Sequence, residues 1–107
     1  MSADSNSRRQ KLEAFLASHP EDAFGRYGLA MECARSGDND AALDHFDRLF
    51  ESHPEYVAAY FQCGQLLAKL GRTEQARQTL ATGIATAQRS GDAHAAGEMQ
   101  AALDTLA

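Results

Sequence analysis

The side chains able to do chemistry in this chain are four histidines, two cysteines and fifteen carboxylates. Metal binding needs three or four of these converging on one point. His19, His45, His53 and His94 are scattered along the chain, and only His94 and Glu98 stand at an i, i+4 spacing that shares one helix face. That pair holds zinc only if a third ligand approaches; otherwise it is a solvated helix face. Cys33 and Cys63 fall on positions of an apolar periodicity, where a thiol acts as a small buried hydrophobe rather than a nucleophile. No glycine-rich phosphate loop, no Ser–His–Asp arrangement and no spaced acid/base pair is present. No catalytic residue, metal ligand or cofactor is therefore assigned, and a non-enzymatic role is expected.

Charge narrows the partners. Ten Lys+Arg against fifteen Asp+Glu leave a net charge of −5, with a pI near 5.2. A nucleic-acid binder relies on clustered positive charge, so that class is set aside. Asp40, Asp44, Asp47 and Glu51 make an acidic stripe at i, i+4, i+7, i+11, read as a solvated face with a basic docking partner as the alternative. Arg8, Arg9 and Lys11 form a small patch of opposite sign. No apolar run approaches the roughly 20 residues of a membrane span. Two cysteines without a signal peptide are expected to be reduced thiols of a cytoplasmic protein.

The elements that position these groups are helices. The chain has 21 Ala and 11 Leu but one Val (Val57) and one Ile (Ile84), too few β-branched residues for a sheet core. Ser18-His19-Pro20-Glu21 recurs as Ser52-His53-Pro54-Glu55, an offset of 34 residues. At that offset Ala34 meets Ala68, Gly37 meets Gly71 and Ala42 meets Ala76. Residues 20–53 share only five identities with residues 54–87, and these fall on punctuation and packing positions. Ser18 and Ser52 followed by Glu21 and Glu55 suggest capping boxes, with proline in the first helical turn. Gly37 and Gly71 suit the left-handed position that closes a helix, and Asp38 and Thr73 suit caps of the helices that follow. Helices are thus expected over 8–17, 20–35, 39–52, 55–69, 73–89 and 92–106, after a disordered lead-in at 1–6.

With these residues in place, the chain resembles the tetratricopeptide repeat (TPR) family, whose units are 34-residue helix–turn–helix modules. Tyr60, Cys63-Gly64, Leu67, Gly71, Ala76 and Leu80 fit the family pattern in the second unit; Leu29-Ala30, Cys33, Gly37, Ala42, Phe46 and Pro54 fit it in the first. Arg26 stands where an aromatic is preferred, Leu49 and Gly83 where a small Ala is usual, and Gln88 where a closing Pro belongs. The resemblance implies an all-α, right-handed helical array (an α-solenoid) of about six antiparallel helices. It would form one domain over 7–107, with repeats at about 20–53 and 54–88, a half-repeat helix at 8–17 and a capping helix at 92–106. In the leading helix, Leu12, Phe15 and Leu16 are expected inward. In the last, Ala95, Met99, Ala102, Leu103 and Leu106 make an inward stripe, after a shift of about two residues absorbed at Ser90-Gly91.

The resemblance also points to a surface. The first helices of successive TPR units line a concave groove, and their groove positions carry over to Phe24, Tyr27, Met31, Ala34 and Arg35, then Ala58, Phe61, Gln65, Ala68 and Lys69. The expected partner-binding residues are Phe24, Tyr27, Met31, Arg35, Phe61, Gln65 and Lys69. Tyr27, Met31, Phe61 and Gln65 replace the Lys and Asn of the TPR clamp that grips C-terminal carboxylates, so apolar or amphipathic segments fit better. The implied function is non-catalytic binding of a peptide or helix of a partner protein. The alternative is a homodimerising assembly protein that buries the same groove against a second copy.

Overall fold

Three turns of one design punctuate the chain. Gly37, Gly71 and Gly91 take φ of +86°, +78° and +77°, a left-handed conformation that glycine adopts without a Cβ penalty. Behind each, the next residue's N–H reaches back five positions: Asp38 to the Cys33 carbonyl at 2.9 Å, Arg72 to Leu67 at 2.9 Å, Asp92 to Ala87 at 2.8 Å. These Schellman closures satisfy carbonyls that the helix ends would otherwise leave open. In a computed structural model of the protein, residues 3–106 are described, with side chains from Ser7 on. They form six helices and no strand: α1 Ala3–Ser18, α2 Ala23–Arg35, α3 Asn39–Ser52, α4 Val57–Lys69, α5 Thr73–Arg89 and α6 Ala93–Asp104. The chain is all-α, as the composition requires.

The chain divides into two compact units at Pro54–Glu55, one residue past the junction of the two sequence repeats at His53–Pro54. In the first unit α2 and α3 pair as a hairpin and α1 lies against α2. Leu29, Ala30 and Cys33 of α2, Ala42, Phe46 and Leu49 of α3, and Leu16 of α1 are buried. Arg8 Nε meets Glu32 Oε1 at 3.0 Å and Arg9 Nη1 meets Asp38 Oδ2 at 3.0 Å, so two members of the expected basic patch instead fasten α1 to α2 and its turn.

In the second unit α5 packs against both α4 and α6. Two glycines permit that approach. A Cβ on Gly64 would lie 2.6 Å from Leu80 Cδ2, and one on Gly83 would lie 2.5 Å from both Met99 Sδ and Tyr60 Cβ. Gly83, which departs from the family's usual Ala, is therefore the point where α4 and α6 close on α5. Tyr60, Cys63, Leu67, Ala76, Leu80, Ala87, Ala96 and Met99 are buried in this unit.

Several local expectations are corrected. The leading helix starts at Ala3 rather than residue 8, so residues 3–6 of the expected lead-in are helical; adding residues to a formed helix gains one hydrogen bond each without a new nucleus. Residues 1–2 lie outside the described residues. Ser18 and Ser52 end α1 and α3 instead of capping the next helices. The following His19 and His53 N–H groups still bond to the Phe15 and Leu49 carbonyls, at 2.9 and 2.7 Å. Proline disfavours the helical conformation in the residue before it, so the breaks fall at His19-Pro20 and His53-Pro54. The next helix opens later, with Asp22 capping α2 through Gly25 N–H at 2.7 Å and Tyr56 standing before α4 with no side-chain cap. Asp38 caps α3 as expected, but Thr73 is the first residue of α5, after Arg72. Phe15 is not inward: it is 41% exposed and stacks on His19 with ring centroids 4.5 Å apart. In α6 the buried pair is Ala96 and Met99; Ala95, Ala102, Leu103 and Leu106 are half-buried.

Candidate partner-binding surface

In the first unit, α2 presents Phe24, Tyr27, Met31 and Arg35 at i, i+3, i+7 and i+11, one face of a helix. Phe24 is 75% exposed, the most open large apolar side chain among the described residues. Tyr27 and Met31 are half-buried. Arg35 is exposed, but its guanidinium is engaged: it pairs with Glu32, a buried carboxylate that also takes Arg8. The orienting role expected of Arg35 thus competes with a contact inside its own unit.

In the second unit, Phe61, Gln65 and Lys69 follow at i, i+4 and i+8 on α4, with Gln65 and Lys69 exposed and Phe61 half-buried. Phe61 is half-buried because it walls a cleft between α4 and α6. Val57, Ala58, Phe61 and Gln62 of α4 form one side, Ala95 and Glu98 of α6 with its cap Asp92 form the other, and the cleft holds about 150 Å³. Of this lining the sequence places Ala58 and Phe61 among the groove positions; Val57, Gln62, Asp92, Ala95 and Glu98 are additions, of which Glu98 shows in the sequence only as the i+4 neighbour of His94. Asp92 caps α6, accepting the Ala95 N–H at 3.0 Å. His94 Nε2 stands 3.4 Å from Glu98 Oε1 on the solvent side, His94 being 87% exposed. No group of three His, Cys, Asp or Glu able to hold a metal ion occurs among the described residues.

The remaining chemical groups have structural occupations. Cys33 and Cys63 are buried and form no disulfide among the described residues, and burial pushes the Cys33 thiol up, away from thiolate reactivity. Arg26, at the family's aromatic position, donates to His45 Nδ1 at 3.0 Å and to the Pro20 carbonyl at 3.2 Å. Burial and that guanidinium hold His45 below its ordinary pKa. His53 Nε2 lies 2.9 Å from the Glu21 carbonyl, joining the end of α3 to the turn before α2. The acidic stripe of α3 is exposed: Arg48 pairs with Asp44 at 3.1 Å, while partial burial, Asp44 and Glu51 push the Asp47 carboxyl up. No helix among the described residues is long and apolar enough to cross a membrane.

Known proteins share this arrangement. The tetratricopeptide repeat family model matches residues 34–103. The TPR repeat-containing protein PA0015 of Pseudomonas aeruginosa is 35% identical over 95 residues, spanning 89% of this chain and 90% of that one. The solution structure of a tetratricopeptide repeat domain protein from Salinibacter ruber superposes with a TM-score of 0.75 at 39% identity, covering 78% of this chain and 85% of that chain. The solution structure of protein BPP2914 from Bordetella parapertussis reaches 0.78 at 32% identity, covering 97% and 87%. The TPR domain is in general a non-catalytic scaffold for protein interaction. On its 34-residue period, its three glycine-closed turns and these relatives, the chain belongs to the tetratricopeptide repeat family.

Proposed function

We propose that this chain binds a peptide or helical segment of a partner protein at the α4–α6 cleft of its second unit, that the α2 face of the first unit is a separate partner contact, and that it catalyses no reaction. The observation that carries the reading is the α4–α6 cleft walled by Phe61, a concave and largely apolar site of about 150 Å³. Phe24 supports it on the α2 face. Burying a phenylalanine side chain contributes about 1.5–3 kcal/mol, and Phe24 is still 75% exposed, so most of that gain is available to a partner. Tyr27 and Met31 extend the same face, and Gln65 and Lys69 supply polar contacts on α4 that fix a segment's orientation. Buried cysteines held outside any disulfide suit a reducing, cytoplasmic setting.

A displayed library of random dodecapeptides selected on the immobilised 107-residue chain tests this. Ala58→Gln puts a longer side chain at an exposed helical position on the cleft without removing core, and Phe24→Ala trims the α2 face. Selected peptides are expected to lose binding on one or both variants while the far-ultraviolet circular dichroism of each stays that of the parent. Peptides that bind both variants as well as the parent would overturn the assignment.

A further inference from the structure

We infer that the α4–α6 cleft takes a cationic side chain, arginine or lysine, of the partner segment. This rests on the reading of that cleft as a partner site and adds what it selects. The lining divides into apolar walls, Val57, Ala58, Phe61 and Ala95, and two carboxylates, Asp92 and Glu98; Gln62 is the remaining member, and no Lys or Arg lines it. A cavity of about 150 Å³ is of the size that admits a benzene-like group, so it accepts one side chain and not a helix. Arginine and lysine match both parts, since their methylene stems cover apolar surface while the charged head reaches for polar groups. The Phe61 ring adds an aromatic surface for that head.

Electrostatics separates the alternatives. Asp92 caps α6, whose N-terminus contributes roughly half a positive charge, well short of two carboxylates, so the cleft remains negative. Asp92 spends Oδ1 on the Ala95 N–H, and a carboxylate offers about four acceptor sites over its two oxygens. Among the described residues, the ion pair of Glu98 is with the exposed His94. An acidic side chain would meet two like charges that no lining Lys or Arg offsets, and a purely apolar one would offer the two exposed carboxylates no donor. A guanidinium or ammonium does neither.

The dodecapeptide library also tests this inference. Peptides whose binding depends on the cleft, by their loss on Ala58→Gln, are measured against two double variants of equal charge. Asp92→Asn with Glu98→Gln neutralises the cleft; asparagine preserves the helix cap and glutamine the side-chain shape. Glu74→Gln with Asp104→Asn removes the same charge at residues that do not line the cleft. The expected result is enrichment of Arg or Lys in the cleft-dependent peptides. Their affinity should fall about fivefold on neutralising the cleft and not on the control pair, as two partly exposed ion pairs contribute. Cleft-dependent peptides without that enrichment, or with equal losses on both double variants, would overturn the cation preference and leave the partner site standing. Failure to obtain any cleft-dependent peptide would overturn both.

Discussion

Placing one methyl group at Gly83 and, separately, at Gly97 should shift stability in opposite directions. Both glycines lie inside helices, α5 and α6, where alanine is intrinsically favoured over glycine by about 1 kcal/mol. A Cβ on Gly97 meets nothing within 4 Å, so Gly97→Ala keeps that gain and stabilises by about 0.5–1 kcal/mol. A Cβ on Gly83 would sit 2.5 Å from Met99 Sδ and 2.5 Å from Tyr60 Cβ. Met99 can swing its thioether aside, but the Tyr60 Cβ is fixed to the backbone of α4, so the helix itself must move. Overpacking a core costs about 1–3 kcal/mol, and a clash on two sides belongs at the upper end. Less the propensity gain, Gly83→Ala destabilises by roughly 1–2 kcal/mol. At about 4 °C per kcal/mol for a chain of this size, thermal unfolding followed by circular dichroism should show a lowered midpoint for Gly83→Ala and a raised one for Gly97→Ala. Gly83→Ala as stable as the parent would mean that α4 and α6 do not close on α5 as described, and the walls of the cleft would lose their basis.

Two further outcomes follow from single side chains. Phe24→Ala should leave the urea midpoint within about 0.5 kcal/mol of the parent because the ring is mostly solvated, yet weaken selected peptides; a large stability loss would place Phe24 in the core. His45 should make stability fall on acidification. Its folded pKa lies below the ordinary 6.5, chiefly through burial and then through Arg26, so its contribution is fully present above that value and is lost as pH falls through the folded one. Asp44 opposes the shift while Arg48 and Arg9 reinforce it. Urea titrations between pH 7.5 and 5 should therefore show a decline that His45→Gln flattens, and an unchanged slope would refute the lowered folded pKa of His45.

The fold was largely legible because repeats impose their residues where backbone geometry leaves little choice. Gly37 and Gly71 marked two helix ends on conformation alone, and the 34-residue offset located the hairpins. The Ser-His-Pro-Glu segments were read on the wrong side of proline. A capping-box pattern competed with the restriction that proline places on the preceding histidine, and the restriction won, leaving each serine in the helix behind it. In the sequence Gly83 is a departure from the family's usual Ala, and only the approach of Tyr60 and Met99 shows why even alanine is too large.

The candidate surface was half legible. Helical spacing alone places Phe24, Tyr27 and Met31 on one face, as it does Phe61 and Gln65. The cleft depends on how α6 meets α4, and Asp92, Ala95 and Glu98 lie more than 30 residues from Phe61. A helical stripe fixes which residues share a side but not its rotation against a neighbour, so the inward set of α6 was read through Ala95 when Ala96 is the buried one. Arg35 looked free because its partner Glu32, one turn back, gives no sequence sign of being buried.

The central claim is that a partner segment binds at the α4–α6 cleft of the second unit. Its most direct test is a heteronuclear NMR titration of the labelled chain with one selected peptide, mapping which backbone amides shift. For a peptide whose binding is lost on Ala58→Gln, the account predicts shifts at Phe61 and Gln65 and at Ala95 and Glu98 across the cleft. Shifts confined to the acidic stripe from Asp40 to Glu51 would contradict it and move the binding surface to α3.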